Sequence, residues 1–270
     1  MSTVVNALLS PVADLMLLVG EHIRRSLSSR LHITGTDGSV VTNVDLDADL
    51  MIRRGLEGLT PDLTILTEEA EPRDTGSKQH WVVDPVDGTQ NLAIGLPLVG
   101  ASVALLDEND RCLLAVAADP VGGRVLVADA TTLYSRSWLD GTPRPVAAGN
   151  LPAPAGIRRV GLLRGNTLAR DDAEFTRLNE VLTRSVSRVL QTRSPIVDVF
   201  LLFGGGLDAL VCLGCDGYEM PAVVHLARRM GFDLVPGPID GPEAWGHPFS
   251  YTLCHPANQD GLNEIIGWAA

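Results

Sequence analysis

The sequence predicts a layered α/β protein, and three features of its pattern support that class. Two segments, residues 3–29 and about 42–59, show helical patterns, with apolar side chains recurring every three or four positions. Residues 98–137 form a series of short apolar stretches separated by turn residues, which is typical of a strand meander. From residue 157 onward, strand and helix patterns alternate without an internal repeat. Helices that accompany such strands must pack on sheets in layers.

The bulk composition allows one large domain or two closely packed lobes. The chain has 270 residues, of which 45% are hydrophobic and 20% charged, enough to bury a substantial core. The run GTPRPVAAGNLPAPAG, residues 141–156, is rich in proline and glycine. We therefore predict an N-terminal α+β lobe over residues 1–140 and a C-terminal α/β lobe over residues 141–270.

Charge and cysteine content limit the binding partners and the cellular compartment that we expect for the protein. The net charge is −12, from 21 basic and 33 acidic residues, and no run of lysine or arginine offers a nucleic-acid footprint. The N-terminus is apolar but lacks a basic start and carries Asp14 and Glu21, so it predicts an amphipathic helix rather than a signal peptide or membrane span. Four cysteines do not form a disulfide framework. We expect a cytoplasmic protein without nucleic-acid or membrane partners.

The N-terminal half is predicted to hold two helices followed by strands. The first helix covers residues 3–29, with Pro11 at its start or at a kink, and the turn GTDGS follows. The second begins near Thr42-Asn43 and runs to about Leu59. Short strands are expected at Thr64–Thr67 and residues 81–84. The meander consists of the segments LVGASVALL, CLLAVAA, GRVLVAD and TLYS.

The C-terminal half alternates between the two element types. The predicted order is strand RRVGLLR, a helix over residues 171–186, strand VLQT, helix PIVDVFLLF, strand LDALVCL, a helix from about Tyr218 to Met230, strand SYTLC and a last helix. The glycines at 204–206 lack the Lys-Ser/Thr that follows a phosphate-binding loop, so they indicate a helix-to-strand turn.

The stretch WVVDPVDGT, residues 81–89, leads an apolar strand into two carboxylates. We expect the strand to end at Asp84, because Pro85 cannot continue the ladder. Asp84 and Asp87 would then lie on one tight turn, close enough to share a pair of cations. Gly88 allows close approach of a ligand, and the backbone N–H groups of Gly88 and Thr89 can receive an anion. The alternative is an ordinary Asp-Pro turn with a solvated aspartate.

Two further acidic segments precede this stretch. In LTEEAE, the short strand TIL would deliver Glu68 to the same sheet edge as Asp84, although such a run is more often an exposed acidic loop. In VVTNVDLDADL, aspartates recur at every second position, but no register supplies the glycine and glutamate of a calcium-binding EF-hand loop. On a helix Asp45 and Asp49 share a face. We expect Asp47 and Asp49 to be solvated.

Together, these segments resemble the inositol monophosphatase family of magnesium-dependent, lithium-sensitive phosphatases. The likeness continues through NLAIGLPLVGASVALL, SWLDGTPRPVA, FGGGLDAL and YEMPAVVHLARRMGF, and so covers nearly the whole chain. It implies an αβαβα sandwich of the sugar-phosphatase type with the active site between two lobes. It also implies a homodimer.

The resemblance assigns roles to individual residues. It makes Glu68, Asp84 and the carbonyl of Val86 ligands of one Mg²⁺, with Asp84 and Asp87 holding a second, and about two or three ions per site. Gly88 and Thr89 would bind the phosphate. Thr89 and Glu68 would position the attacking water, and Asp45 would support Thr89 by a hydrogen bond. No side-chain nucleophile is required, because the bound metal ions can activate a water molecule.

The chain departs from the family pattern at two positions. The family closes its metal site with Trp-Asp at the start of a helix, and that place falls here on Tyr218-Glu219. Glutamate can ligate Mg²⁺; the alternatives are that Glu219 only favours the helix N-terminus, or that Asp216 closes the site. The family's glutamate for ring hydroxyls, seven residues earlier, falls on Cys212. A thiol binds a polyol poorly, so a nucleoside base or modified sugar could occupy that side.

Other readings of the same residues are weaker. Cys212 and Cys215 form a lone CxxC, which without a second pair is poor evidence for zinc. A haloacid-dehalogenase-type enzyme spaces its carboxylates at i,i+2, whereas Asp84 and Asp87 are at i,i+3. The sequence therefore predicts a Mg²⁺-dependent phosphomonoesterase acting on a small sugar, polyol or nucleoside phosphate. The alternative is a catalytically degenerate family member that binds a ligand or a partner.

Overall fold

The computed structural model of the protein describes residues 2–28, 31–34, 40–139, 141–146, 156–166, 168–215, 217–237 and 248–268. Its helices are α1 (Ser2–Ser26), α2 (Asn43–Leu59), α3 (Thr89–Ala93), α4 (Ala173–Ser185), α5 (Pro195–Phe203), α6 (Met220–Arg229) and α7 (Gln259–Ile266). Its strands are β1 (Ile33–Thr34), β2 (Val41–Thr42), β3 (Thr64–Thr67), β4 (His80–Asp87), β5 (Gly100–Leu106), β6 (Cys112–Asp119), β7 (Arg124–Asp129), β8 (Leu133–Ser137), β9 (Arg144–Pro145), β10 (Arg159–Arg164), β11 (Arg188–Leu190), β12 (Ala209–Cys215), β13 (Asp233–Pro236) and β14 (Phe249–Cys254).

The first sheet has the strand order β3-β4-β5-β6-β7-β8-β9. Only β3 and β4 pair in parallel, while the neighbouring pairs from β4 to β9 are antiparallel, as expected for a meander. One face packs against α1 and α2, and the other packs against α5 and α6. Because both faces are covered, the interior strand β5 is buried along its whole length.

The second sheet completes the layers. Its order is β11-β10-β12-β14-β13, with β10 parallel to β11 and β12, and β14 antiparallel to both of its neighbours. One face packs against α5 and α6, and the other packs against α4 and α7. The molecule is therefore a helix–sheet–helix–sheet–helix sandwich, which confirms the predicted fold class.

Most predicted elements are present, and the differences are local. The bounds of α2, β3 and α5 agree with the prediction to the residue. The prediction that β4 ends at Asp84 is wrong, since the strand continues to Asp87. Pro11 lies inside α1, and β13 was not predicted. The turn GTDGS lies outside the described residues, and the lobe boundary at residue 140 stays a prediction, with the first sheet reaching β9.

Cysteines and helix lengths add two observations. All four cysteines are free thiols, in agreement with the absence of a predicted disulfide framework. In the part of the chain that the structure describes, none of the helices is long and apolar enough to cross a bilayer.

Asp198 is a buried acid in the central helix layer. It lies on α5 with 0% exposure, and neither carboxylate oxygen has a hydrogen-bond partner among the described residues. Burial raises its pKa to about 8. The nearby Thr192 hydroxyl opposes this effect, but it donates its hydrogen bond to the Ser194 carbonyl oxygen at 3.2 Å. Burial therefore dominates, and the folded protein holds Asp198 protonated at neutral pH.

We predict that Asp198→Asn stabilises the protein increasingly as pH rises. The folded pKa lies above the usual value of about 3.9, so the neutral acid favours folding below pH 4 and that contribution is lost between about pH 4 and pH 8. Asparagine keeps the shape without titrating. The gain in unfolding free energy over the wild type should reach on the order of a few kcal/mol by pH 8. Urea unfolding at pH 5 to 9 measures it.

The matched control is Asp171→Asn, which makes the same change at an exposed position. Its unfolding free energy should follow the wild-type pH profile. If Asp198→Asn followed that profile too, Asp198 would not be protonated in the folded state.

Candidate active site

β4 carries Asp84 and Asp87 into the layer between the two sheets. Asp84 pairs with Ser102 of β5 and Asp87 pairs with Gly100, so β4 has one more residue than β5 in this stretch. This β-bulge explains why side chains three apart share a face that regular alternation would deny them. Pro85 lies within the bulge, where it interrupts no regular ladder. Both carboxylates are buried, with 2% and 6% exposure.

Asp87 joins the first sheet to the N-terminus of α5. Its Oδ2 accepts hydrogen bonds from Ser194 Oγ at 2.7 Å and from the Ile196 backbone N–H at 2.6 Å. Ser194 is also the N-cap of α5, with Pro195 at the first helical position. One oxygen of Asp87 is thereby fixed, and the Oδ1 atom is left for another ligand.

Thr89 is oriented by Asp45. Its hydroxyl donates to Asp45 Oδ1 at 2.6 Å and lies 3.0 Å from the carbonyl oxygen of Val86. The other oxygen of Asp45 accepts hydrogen bonds from the backbone N–H and the hydroxyl of Thr42, which closes a capping box at the start of α2. The hydrogen bond between Asp45 and Thr89 implied by the resemblance is thus present in the structure.

Gly88 connects β4 to α3 through a left-handed backbone conformation. Its φ is +87°, and a Cβ there would lie 2.6 Å from the Leu98 carbonyl oxygen. Only glycine meets both conditions. The structure thus shows a close approach between Gly88 and the Leu98 backbone, and the predicted approach of a ligand to Gly88 stays a prediction.

The prediction that Asp49 is solvated is wrong. Asp49 is 2% exposed, accepts a hydrogen bond from the Thr67 hydroxyl at 2.6 Å and pairs with Arg53 at 2.7 Å. Asp45 and Asp49 share one face of α2, which packs against the first sheet. Asp47 points away from that face, and its side chain is 59% exposed, as predicted.

Glu68 follows β3 and enters the same acidic group. Its backbone N–H donates to the Val83 carbonyl oxygen at 3.3 Å, so the residue lies beside β4. Burial raises the pKa of Glu68 to about 7, with further increases from the charges of Glu219 and Asp45. The neighbouring Glu69 also has its pKa raised to about 7, first by burial and then by Glu68.

Burial and neighbouring negative charges also raise the pKa values of Asp84 and Asp87. Burial raises the pKa of Asp84 well above its usual value, and the charges of Glu68, Asp87 and Glu219 add to the effect. Burial also raises the pKa of Asp87 to about 7, against the two hydrogen bonds from α5 that lower it. Asp84 Oδ1 is buried without a hydrogen-bond partner among the described residues. Mutual repulsion of this kind favours the binding of a cation.

Glu219 lies immediately before α6, and its charge acts on Glu68 and Asp84. Its side chain makes no capping hydrogen bond, and Pro221 falls near the helix start, where proline is tolerated. The carboxylate folds back over Gly217, where an added Cβ would lie 1.9 Å from Glu219 Oε2. The alternative ligand Asp216 lies outside the described residues.

The acidic group fits a hard divalent cation in charge and chemistry. Within the described ranges, no three histidine, cysteine, aspartate or glutamate side chains form a finished ligand set. The fit depends instead on the unpartnered Asp84 Oδ1 and on the carboxylates that raise one another's pKa. Magnesium prefers such carboxylate oxygens and keeps water and phosphate as its other ligands. The residues present are therefore of the chemical type that Mg²⁺ binds.

The thiol of Cys212 does not reach an open surface. Cys212 is 0% exposed and contacts Cys215 and Tyr251 in the layer between the sheets. A bulge in β12 between Cys212 and Cys215 brings both thiols to one face. The predicted substrate contact of Cys212 is untested, but as the thiol lies here it has no surface for a ligand.

Sequence analysis missed Ser194 and Asn91. Ser194 holds Asp87, and the side-chain amide of Asn91 donates to the Leu98 and Thr192 carbonyl oxygens, both at 2.8 Å. Ser-Pro before an apolar run is a helix-start signal that could have singled out Ser194. Its contact with Asp87, 107 residues away, has no signal in a single sequence.

The chain is similar in sequence to a known family and to known proteins. Residues 6–189 match the inositol monophosphatase family. Histidinol-phosphatase of Chlorobaculum parvum is 32% identical over 112 residues, which are 42% of this chain and 42% of that protein. The Nus factor SuhB of Haemophilus influenzae is 32% identical over 221 residues, 78% of each chain.

A solved structure shows the same fold. The inositol monophosphatase of Anabaena (Nostoc) sp. PCC 7120 has a TM-score of 0.75 and 19% identity, covering 99% of this chain and 97% of that one. At such identity the likeness concerns the fold alone. The sequence match over residues 6–189 includes Asp45, Glu68, Asp84, Asp87 and Thr89. The chain therefore belongs to the inositol monophosphatase family.

Proposed function

We propose that this protein is a Mg²⁺-dependent phosphomonoesterase that hydrolyses a small phosphorylated metabolite. The observation that carries the proposal is the buried acidic group, in which burial raises the pKa of Glu68, Asp84 and Asp87 and the charge of Glu68 further raises the pKa of both aspartates. Buried acids that repel one another destabilise a fold unless a cation joins them. Their position beside Gly88 and Thr89 gives that cation a place to meet a phosphate group.

The chain offers a set of oxygen ligands for magnesium. The residues that would hold it are Glu68, Asp84, Asp87, Glu219 and the carbonyl of Val86. When bound, Mg²⁺ lowers the pKa of a water molecule and neutralises charge on the phosphate. Ser194 and Ile196 keep the Asp87 carboxylate in one orientation for this role.

Other residues would place the water and the phosphate. Because the Thr89 hydroxyl donates its proton to Asp45, its oxygen lone pairs face outward and can accept a hydrogen bond from the attacking water. The Glu68 carboxylate would accept the second hydrogen of that water. The backbone N–H groups of Gly88 and Thr89, at the start of α3, would receive the phosphate oxygens.

A non-catalytic role is the second candidate. The relative from Haemophilus influenzae carries the name Nus factor, and Cys212 replaces a polar residue that the family resemblance implies. A degenerate family member would keep the fold and bind a ligand or a partner. Metal-dependent turnover separates the two candidates, since a binding protein would release no phosphate.

Sugar, polyol and nucleoside phosphates are all candidate substrates. The buried Cys212 removes a polar group from one side of the site, which favours a nucleoside or modified-sugar phosphate over inositol phosphate. We also propose a homodimer, in line with the resemblance. Light scattering coupled to gel filtration would measure its mass.

We predict that phosphate release from a panel of small phosphomonoesters requires Mg²⁺ and is abolished by Asp87→Asn. Asparagine can still accept the hydrogen bonds from Ser194 and Ile196, so the fold should survive. The loss of one carboxylate oxygen for the cation should lower kcat/KM at least about a hundredfold. Phosphate release and the melting temperature would be measured together.

The control for this change is again Asp171→Asn, an exposed substitution with the same loss of charge. It should retain wild-type activity. Substantial activity in Asp87→Asn would remove Asp87 from the metal site. A wild-type protein that released no phosphate from any panel member would favour the binding role.

We predict that Gly217→Ala raises the Mg²⁺ concentration needed for half-maximal activity by about tenfold. The new Cβ would lie 1.9 Å from Glu219 Oε2, so the carboxylate must move. Because the atom displaced is the end of a flexible side chain, the melting temperature should change little. Glu219→Asp should retain magnesium-dependent activity, since it keeps the carboxylate at the same helix start.

Gly58→Ala is the matched control, because a Cβ at Gly58 would meet nothing within 4 Å. Its Mg²⁺ requirement should equal that of the wild type. An unchanged requirement in Gly217→Ala, together with loss of activity in Glu219→Asp, would contradict a ligand role for Glu219.

A further inference from the structure

Arg193 has a backbone conformation that arginine seldom adopts. Its φ is +54°, and among the described residues Asp110 is the only other non-glycine residue with a positive φ. Asp110 lies in a hairpin turn, where a short polar side chain tolerates this conformation. Arginine has no such local compensation. A strained residue of this kind persists only where the surrounding structure holds it.

The residues on either side of Arg193 are fixed by the acidic motif. The Thr192 carbonyl oxygen accepts a hydrogen bond from the Asn91 side-chain amide at 2.8 Å. The Ser194 hydroxyl donates to Asp87 Oδ2 at 2.7 Å. Both neighbours are buried, at 3% and 0% exposure, whereas Arg193 itself is exposed. The backbone of Arg193 is therefore fixed between two residues that contact Asn91 and Asp87, and Arg193 itself is exposed next to them.

The start of α5 has no free backbone donor for a ligand. A helix N-terminus normally offers several unpaired N–H groups. Here they are all absent or used: Pro195 has none, Ile196 donates to Asp87, Val197 donates to the Ser194 hydroxyl oxygen, and Asp198 donates to the Ser194 carbonyl oxygen. Recognition on this side of the site must therefore come from a side chain.

In the layer between the sheets, neither Cys212 nor Tyr251 offers a free polar group. Cys212 is fully buried, and the Tyr251 hydroxyl donates to Met220 Sδ at 3.2 Å. A ring of substrate hydroxyls would find no partner there. This leaves the Arg193 guanidinium as a donor on the α5 side, and within the described residues that group makes no ion pair or hydrogen bond.

We propose that Arg193 binds a second anionic group of the substrate, which is then a phosphomonoester that also carries a phosphate or a carboxylate. This inference rests on the proposed phosphatase function. The guanidinium can donate two hydrogen bonds to a pair of oxygen atoms in either group, and Arg193 is exposed next to residues that contact Asp87 and Asn91. The acidic residues would hold cations, which would bind the reacting phosphate.

The experiment compares two pairs of ligands that differ by one anionic group. The carboxylate pair is phosphogluconate and glucose phosphate, and the phosphate pair is fructose bisphosphate and fructose monophosphate. Titration calorimetry gives the affinity for each ligand, and phosphate release gives kcat/KM. The variants are Arg193→Gln, Arg193→Lys and Arg193→Gly, the last of which suits the positive φ and guards against misfolding.

We expect the wild type to prefer the doubly anionic member of at least one pair. Arg193→Gln and Arg193→Gly should lower that preference about tenfold or more, and Arg193→Lys should keep part of it. Added salt should also weaken it, because the contact is exposed. Arg184→Gln, a matched change at an exposed position on α4, should leave the preference unchanged.

The two pairs show whether the second group is a carboxylate or a phosphate. A wild type that binds neither doubly anionic ligand, or prefers neither, would overturn the inference. Equal losses for both members of a pair in Arg193→Gln would overturn it too. If no ligand were hydrolysed but calorimetry still showed a preference that depends on Arg193, the phosphatase proposal would fail and the role of Arg193 would stand.

Discussion

The contact between Asp87 and the N-terminus of α5 is the interaction on which the site depends. It joins a strand of the first sheet to a helix that also packs on the second sheet, through two hydrogen bonds to one buried oxygen. Because Oδ2 is saturated, the carboxylate cannot rotate, and its Oδ1 atom keeps one direction. The same contact uses up the donors at the helix start, and so leaves recognition beyond the phosphate to the side chain of Arg193.

Two β-bulges build the layer between the sheets. In β4 the extra residue places Asp84 and Asp87 on one face, and in β12 it does the same for Cys212 and Cys215. Both segments have i,i+3 spacing, which a regular strand would split between opposite faces. The charged pair lies close to the N-terminus of α5, whereas the sulfur pair is buried in contact with Tyr251. A β-bulge thus positions the acidic side chains in β4 and the packed thiols in β12.

The sequence was informative where short-range signals act. The second helix was predicted to begin near Thr42-Asn43 and to end at about Leu59, and a helix was predicted over PIVDVFLLF; both agree with α2 and α5. Alternating apolar residues and turn signals also revealed the meander. Long-range pairing was not visible: buried Asp49 contacts Thr67 of β3, and the role of Ser194 depends on Asp87. Such contacts are decided by packing of distant segments, which composition and periodicity do not encode.

Helix α2 shows how the fold and the proposed chemistry share residues. Asp45 and Asp49, one turn apart, accept hydrogen bonds from the hydroxyls of Thr89 and Thr67. Thr89 is the residue that would place the water, and Thr67 directly precedes Glu68. Asp45 also closes the capping box with Thr42. The residue that helps to start α2 therefore also fixes the register of the helix against β3 and β4. The helix therefore sets the relative position of Thr89 and Glu68 before any ligand arrives, which is the preorganisation that attack on a phosphate requires.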